Sequence, residues 1–560
     1  MERAQRARLL RDCARIASGG GPALRDLAKV VRLAAGRLDQ PLRLAVAGQI
    51  KRGKSTLVNA LLGTEIAPTG QLELTFTVNE FHYAEEPRLT VRFDDGTSRE
   101  FPPERLRQLT VRDAEDEELL RRVRKVEFGL RNELLSAFRL IDTPGLGSVY
   151  VKDAANAMDV LGIGGFVSAT ERAEMEAALA VMSRSAGDVV ADSAAELERA
   201  DAVLYLFSRA LHERDRATVE DFLGPAAASV TPLKAFGVLS RCDQYWPPSE
   251  ELPGAPDPLT YDPLAVGRML AREYHERPQT RRLFFTVVPI AGLVAVAART
   301  MTGQELDWLS ELSRVPPGRL ASRLADAGLF AGKPELPEIA LDRDARRALV
   351  NRLGVWGIHM AAGYLRDGLT EDELRARLVV DSGVAGLREV VVGHFGNRSS
   401  LIKLEHGLAD IDAAVARHRT DALRESGQVA NAAGDIASIV ERIRTHEPGF
   451  AAMRVLAAHY RGELSFAPAE VAELLRVTGE HGVTIAARLD LPEGSSPAEL
   501  ERAAEAGAAA WAVREQDPLL DRATAGACRV LRRAYERLAN RAREARLLLE
   551  TDADPTVEKW

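Results

Sequence analysis

The densest chemistry in the chain lies in nine consecutive residues, Gly48-Gln49-Ile50-Lys51-Arg52-Gly53-Lys54-Ser55-Thr56. Their spacing is G-x-x-x-x-G-K-S, the pattern of a phosphate-binding loop. Glycines let backbone N–H groups turn inward around phosphate oxygens, and a helix opening at the end of the loop adds its positive pole. The Lys54 ammonium can reach the β- and γ-phosphates of a nucleotide, and the Ser55 hydroxyl can ligate Mg2+. The pattern requires a strand before it and a helix after it. Leu42-Arg43-Leu44-Ala45-Val46-Ala47 and Thr56-Leu57-Val58-Asn59-Ala60-Leu61-Leu62 read as those two elements.

Three further groups narrow the nucleotide. Asp142-Thr143-Pro144-Gly145 follows the apolar run Phe138–Ile141. An Asp at a strand end can hold Mg2+, and the Gly145 N–H can meet a γ-phosphate; D-x-x-G after a phosphate loop is the GTPase pattern. Between the two motifs, Thr75 is the candidate to complete the Mg2+ shell when the γ-phosphate is present, with Thr77 second. Base recognition by an N/T-K-x-D tetrad falls on Ser240-Arg241-Cys242-Asp243. Asp243 is in place to accept from guanine. Arg241 replaces Lys, with a stem that can stack over the base, and Ser240 replaces Asn or Thr. Ala291, in Pro289-Ile290-Ala291-Gly292, stands where a backbone N–H contacts the guanine oxygen. The expected nucleotide-binding set is Gly48, Gln49, Lys51, Arg52, Gly53, Lys54, Ser55, Thr56, Arg241, Asp243 and Ala291. The expected metal set is Ser55, Thr75 and Asp142, and Lys51, Lys54, Thr75 and Gly145 are the residues expected to act on the γ-phosphate.

These side chains need a sheet whose strand ends carry them. Strand candidates Leu42–Ala47, Arg88–Phe93, Lys125–Leu130, Phe138–Ile141, Ala202–Phe207, Ala235–Leu239 and Leu283–Val288 alternate with helical stretches. That predicts a three-layer α/β domain with a mostly parallel sheet and ligands at the carboxyl ends of its strands. After about Met301 helices follow one another, with capping boxes at Thr370–Glu373 and Ser496–Glu499. The expected division is N-terminal helices over 1–40, a GTPase domain over 41–301 and a helical neck and stalk over 302–560. Two apolar seams, one through Leu24, Leu27, Val31, Ala34 and Leu38 and one through Leu531, Tyr535, Leu538, Ala542, Ala545 and Leu549, each need a cover, and the expectation is that they cover each other.

The whole chain sets bounds. Its 560 residues are 46% hydrophobic and 28% charged, as in a globular protein of several domains. A net charge of −8 counts against a general nucleic-acid binder. The three cysteines, Cys13, Cys242 and Cys528, lie far apart and give no metal-ligand spacing. No uncharged apolar run approaches the ~18 residues of a spanning helix, so the expected location is cytoplasmic, with any membrane contact from the surface.

The stretch GQIKRGKSTLVNALLG, Gly48–Gly63, with Pro68-Thr69-Gly70, Thr75 and DTPG, resembles the bacterial dynamin-like proteins. The resemblance covers about residues 42–292. It implies a GTPase domain on a helical neck and stalk, Mg2+ as cofactor, GTP-dependent self-association and membrane binding with remodelling. A regulatory switch that recruits protein partners without deforming membrane is the alternative. Leu146 follows Gly145, where Ras-like GTPases place a water-orienting Gln. The family resembles this in lacking that Gln and in ordering the site with a second subunit. A Lys51 ammonium can neutralise charge between the β- and γ-phosphates or point to solvent.

Overall fold

The computed structural model of the chain describes residues 3–19, 21–49, 52–67, 78–106, 122–143, 195–208, 211, 215–217, 219–220, 233–248, 257–421 and 427–552. Two compact units separate. One comprises Arg43–Phe222 and Ala235–Glu389, the other Met1–Leu42, Leu223–Lys234 and Val390–Trp560.

In the first unit, nine strands among the described residues form one sheet. They are β1 (Leu42–Gly48), β2 (Val78–Tyr83), β3 (Arg88–Phe93), β4 (Ser98–Phe101), β5 (Val123–Leu130), β6 (Phe138–Asp142), β7 (Ala202–Phe207), β8 (Ala235–Leu239) and β9 (Val287–Pro289). Their spatial order is β4-β3-β5-β2-β6-β1-β7-β8-β9. From β1 to β9 the pairs are parallel; β2 runs parallel to β5 but antiparallel to β6, and β3–β4 is a hairpin. β7 and β8 are buried at every position, as uninterrupted apolar runs require when both faces are covered. β3 alternates buried Leu89, Val91 and Phe93 with outward Arg88, Thr90 and Arg92, so only one face packs.

Three strands differ from the sequence expectation, the first being β4, Ser98–Phe101, which is absent from the predicted set. β2 is absent from the predicted set because it reads Val78-Asn79-Glu80-Phe81, with two polar residues where a buried strand is expected to be apolar. Glu80 is nonetheless 1% exposed, held by Arg43 at 3.1 Å, Lys125 at 2.8 Å and Arg139 at 2.9 Å. β9 is shorter than Leu283–Val288: Pro278–Leu283 is a helix opened by a proline at its first position, and Phe284 and Phe285 leave it as buried core side chains.

This unit continues to Glu389, beyond the domain boundary that the sequence pattern places near 301. The helix Gly292–Thr300 packs against Lys54–Leu62, Arg343–Arg366 and Glu371–Asp381. Arg375 donates to Ala298 O and Met301 O, satisfying carbonyls that the end of that helix leaves over. Both expected capping boxes form, at Thr370–Glu373 and Ser496–Glu499.

The second unit is helical. The seams are buried through Leu24, Leu27, Val31 and Ala34 and through Leu531, Tyr535, Leu538 and Ala542, but each takes a different main cover from the one expected. Leu27 and Val31 on Arg25–Arg37 pack on Asn397–Asp421, where Gly407 lets Ala34 approach so closely that a Cβ would meet the Ala34 Cβ at 2.9 Å. Lys403 closes the same joint, donating to Leu38 O and Gln40 O at 3.0 and 2.6 Å. Leu531, Tyr535 and Leu538 on Arg522–Asp552 pack chiefly on Pro497–Glu515, its neighbour across a short turn. Gly507 there receives the Tyr535 ring, which an added Cβ would meet at 2.5 Å. For the C-terminal seam the physical reason is sequence distance: an antiparallel neighbour on a short loop covers it at less entropic cost than a helix about five hundred residues away. The cover ends near Ala542, and Leu547, Leu548 and Leu549 are exposed.

The Glu80 cluster gives a stability prediction. Burial alone pushes this carboxyl up, but Lys125, Arg43 and Arg139 overcome that and hold it at about 2. A carboxylate held below its free value stabilises the fold above that value and stops doing so as pH falls through the folded pKa. Glu80→Gln should therefore lower the unfolding free energy by roughly 3 kcal/mol at neutral pH, by leaving three cations without their shared partner. Urea titrations should show the gap between the two proteins closing as pH falls from about 4.5 to about 2. A gap that stays constant across that window would contradict the charge account.

Candidate nucleotide site

The site lies at the carboxyl end of β1. Gly48 leaves the strand with φ +145, and a Cβ there would meet Leu206 O of β7 at 2.5 Å, so the loop can cross its neighbour only as glycine. Gly53, at φ 88, turns the chain into the helix Lys54–Leu62. Ile50 and Lys51, between them, lie outside the described residues, as do Thr75, Gly145 and Leu146 and the apolar glycine-rich stretch 157–167.

Lys54 is 7% exposed and folds back to donate to Gln49 O at 3.0 Å. Burial pushes its ammonium down to about 8, against the pull of Asp142. Asp142 ends β6, next to β1 in the sheet, and is 0% exposed. One carboxylate oxygen accepts from Ser55 Oγ at 2.7 Å; the other, Oδ1, is buried with no hydrogen-bond partner. Burial pushes this carboxyl up to about 6, against Lys54 and Ser55. Thr143 fixes the strand end by donating its hydroxyl to Val46 O at 2.9 Å. The pair of Ser55 and Asp142 fits Mg2+: both are hard oxygen donors, one oxygen stands unpaired, and Mg2+ normally takes one or two protein oxygens and completes its octahedron from phosphates and water. No group of three or more His, Cys, Asp or Glu that could cage a metal occurs among the described residues.

The base end follows β8. Ser240 Oγ donates to Arg52 O at 2.8 Å and to Phe207 O at 3.2 Å, so the replaced first residue of the tetrad still ties it to the phosphate loop. Arg52 adds bonds to Gln49 Oε1 at 3.1 Å and to Ser208. Arg241 adopts φ 59, uncommon for a residue with a Cβ, and opens the turn Cys242–Tyr245. Buried Cys242 pins that turn through its N–H to Ile290 O and its thiol to Leu239 O. Asp243 is half-buried by exposure but surrounded closely enough that desolvation pushes its carboxyl up to about 6, against Arg241. The Ala291 N–H is already donated to Ser382 O at 2.8 Å, and Ala291 is fully buried. The surface beside it is formed by Ile290, Gly292 and Leu293 instead.

A cavity of about 610 Å3 connects these parts, reaching from Arg52, Gly53 and Thr56 to Ser240, Arg241 and Asp243. Its far wall is a segment that the sequence reading missed. The helix Arg343–Arg366 breaks at Gly354, with φ 69 and ψ 167, and Val350, Asn351, Gly354 and Val355 line the cavity. A Cβ on Gly354 would stand 3.5 Å from Asp243 Oδ2. Arg352 pins the break, donating to Glu65 at 2.7 Å, Glu305 at 3.0 Å and the Thr300 hydroxyl at 2.7 Å. The available signal was a glycine inside an otherwise helical run, Asn351-Arg352-Leu353-Gly354-Val355-Trp356.

Residues 44–210 match the Dynamin family. Over 528 residues the chain is 30% identical to the isoniazid-induced protein IniC of Mycobacterium tuberculosis, covering 92% of this chain and 94% of that protein. It is 34% identical over 111 residues to dynamin-like protein 2 of Campylobacter jejuni, covering 20% of this chain and 18% of that one. Over 56 residues it is 41% identical to a bacterial dynamin-like protein of Nostoc punctiforme, covering 10% and 8% respectively. A full-length relative at this identity, a family match across the phosphate loop, and a nine-stranded sheet carrying that loop at a strand end lead to one conclusion: the chain belongs to the dynamin family and is a bacterial dynamin-like GTPase.

Proposed function

We propose that the chain binds GTP with Mg2+ in the cavity beside Lys54, hydrolyses it by direct attack of water on the γ-phosphate, and couples nucleotide state to self-association at a membrane surface. The observation that carries the reading is the buried Lys54 beside Ser55, whose hydroxyl bonds the buried Asp142, next to a cavity lined by their neighbours Gly53 and Thr56 together with Asp243. In this reading Lys54 exchanges Gln49 O for the β- and γ-phosphate oxygens. Ser55 and Thr75 would ligate Mg2+ through their hydroxyls, and Asp142 would hold it through water. Bound Mg2+ supplies charge neutralisation on the β- and γ-oxygens. Gly48, Gln49, Arg52, Gly53 and Thr56 shape the phosphate cradle, Gly145 meets the γ-phosphate, and Lys51 faces the developing charge.

Asp243 accepts from the guanine ring N–H and exocyclic amine. Adenine presents an acceptor there and would leave the carboxylate unpaired, a source of strong discrimination. The Arg241 stem stacks over the base. Gly292 opens a helix, where N–H groups lack intrahelical partners, and takes the role first expected of Ala291 toward the guanine oxygen. Val350 to Gly354 close the base side from within the same chain.

Self-association is proposed because Leu146 offers no hydrogen bond to position water, so a second subunit is the source of that order. The membrane reading is supported by apolar side chains at the turn between Pro497–Glu515 and Arg522–Asp552, where Val513 is 75% and Leu519 91% exposed. No helix among the described residues is long and apolar enough to cross a membrane, so the contact proposed is with its surface.

Lys54→Ala should reduce phosphate release from GTP by about 100-fold or more, since it removes charge that stabilises the transferring phosphoryl group. Its melting temperature should not fall, because the substitution relieves a buried ammonium of its desolvation cost. Unchanged turnover in the folded variant would place the chemistry elsewhere. Specific activity of the native chain should also rise with protein concentration, and further with liposomes. A flat profile in both conditions would identify a self-sufficient site.

A further inference from the structure

Of the eight arginines on the C-terminal helix Arg522–Asp552, six cluster between positions 532 and 546: Arg532, Arg533, Arg537, Arg541, Arg543 and Arg546. In the helical unit three of them are consumed by carboxylates. Arg532 pairs with Glu515 and Glu536, Arg543 with Glu501 and Glu505, and Arg546 with Glu501. Arg537 and Arg541, one turn apart, instead line a cavity of about 860 Å3. Arg488 of Ile485–Leu489, Arg398 of Asn397–Asp421 and Arg6 of Arg3–Gly19 line the same space. Guanidiniums from four helices therefore converge on one cavity in a chain whose net charge is −8.

The carboxylates nearby do not balance them. Glu447 takes Arg6 at 2.8 Å and also faces Arg537, Glu480 takes Arg398 at 2.6 Å, and the remaining lining carboxylate is the exposed Glu544. Arg488, Arg537 and Arg541 make no ion pair among the described residues. Arg488 spends its Nε on Val477 O at 2.8 Å, and the charged groups facing its fork are Arg537, Arg541 and Arg398. Burial first, and then those three cations, push it down to about 10. Arg398 Nε is buried with no hydrogen-bond partner. Like charges gathered out of water cost stability unless a counter-charge joins them. Planar guanidinium forks are the groups best matched to phosphate oxygens, which they bind in pairs. The cavity floor adds Met453, Leu456 and Leu538, apolar side chains that can cover an organic remainder.

We propose that this cavity is a binding site for a compact anion carrying more than one phosphate group, held by Arg488, Arg537 and Arg541, with Arg398, already paired to Glu480, adding its charge behind them. A single phosphate satisfies two forks; three forks around one space fit a polyphosphate or a multiply phosphorylated headgroup. The proposal stands apart from the GTP site and does not rest on it. An occupant would join four helices of the unit and raise its stability by mass action.

The test uses the full chain with excess GDP filling the phosphate loop. Sodium tripolyphosphate, compared with sodium chloride at equal ionic strength, should raise the melting temperature and bind measurably in calorimetry. Arg488→Gln/Arg541→Gln should weaken that binding at least tenfold while melting no lower than the native chain without anion, since the substitutions remove like-charge crowding. Arg541→Gln alone, at an exposed position, gives a second variant with partial loss, and Arg543→Gln, which breaks a carboxylate pair, should bind as the native chain does. A second arm measures sedimentation with phosphatidylcholine vesicles that contain or lack a bisphosphorylated inositol lipid. Loss of tripolyphosphate binding in the double variant assigns a soluble ligand. Loss of phosphoinositide-dependent sedimentation alone assigns a lipid headgroup. Equal behaviour of native and variant chains in both arms, or no binding by the native chain in either, overturns the site.

Discussion

The candidate nucleotide site depends on taking two opposite charges out of water, one at the start of the helix Lys54–Leu62 and one at the end of β6. Desolvating an ammonium or a carboxylate costs several kcal/mol even after relaxation, and the attraction between Lys54 and Asp142 offsets only part of it. The remainder is visible in both groups, with Lys54 pushed down to about 8 and Asp142 up to about 6. One carbonyl and one hydroxyl are the hydrogen-bond partners within reach, and Asp142 Oδ1 has none. In the proposed reading, a triphosphate with Mg2+ would bring the missing counter-charges to both. The sheet order makes this possible, because placing β6 beside β1 sets Asp142 beside the phosphate loop.

The second constraint is at the base end. Ser240 bonds the phosphate loop, Cys242 bonds the turn after β9, and Gly354 bends a later helix against Asp243. Arg352 ties that bend to Glu65, just past the helix that the phosphate loop opens. Movement in the loop therefore has a short path of packed and hydrogen-bonded groups into Arg343–Arg366 and the helices beside it. This gives the helices between 303 and 389 a reason to remain with the sheet.

Legibility in the sequence followed the range of the interaction. The strand, loop and helix around Gly48 and Gly53 were readable because that frame is local, set by residues a few positions apart. β7 and β8 were readable as unbroken apolar runs. β2 was not, because Glu80 is buried by cations from β1, β5 and β6 that no local window contains. The Ala291 N–H was assigned to the base, but a carbonyl ninety residues later takes it. The seams were correctly read as needing covers, yet a seam states its width and not its partner, and the nearest antiparallel helix supplied the cover for the C-terminal one. Gly354 was invisible for a similar reason: a glycine in a helical run signals a break, and only the tertiary fold puts Asp243 beside it.

In the proposed reading Asp243 selects guanine in this cavity. Asp243→Asn tests it most directly, with turnover of GTP compared with that of xanthosine triphosphate, whose exocyclic oxygen replaces the guanine amine and can accept from an amide. The native chain should prefer GTP, and the variant should lose GTP turnover while gaining xanthosine triphosphate turnover, reversing the preference. A folded variant that keeps the native preference for GTP would contradict it.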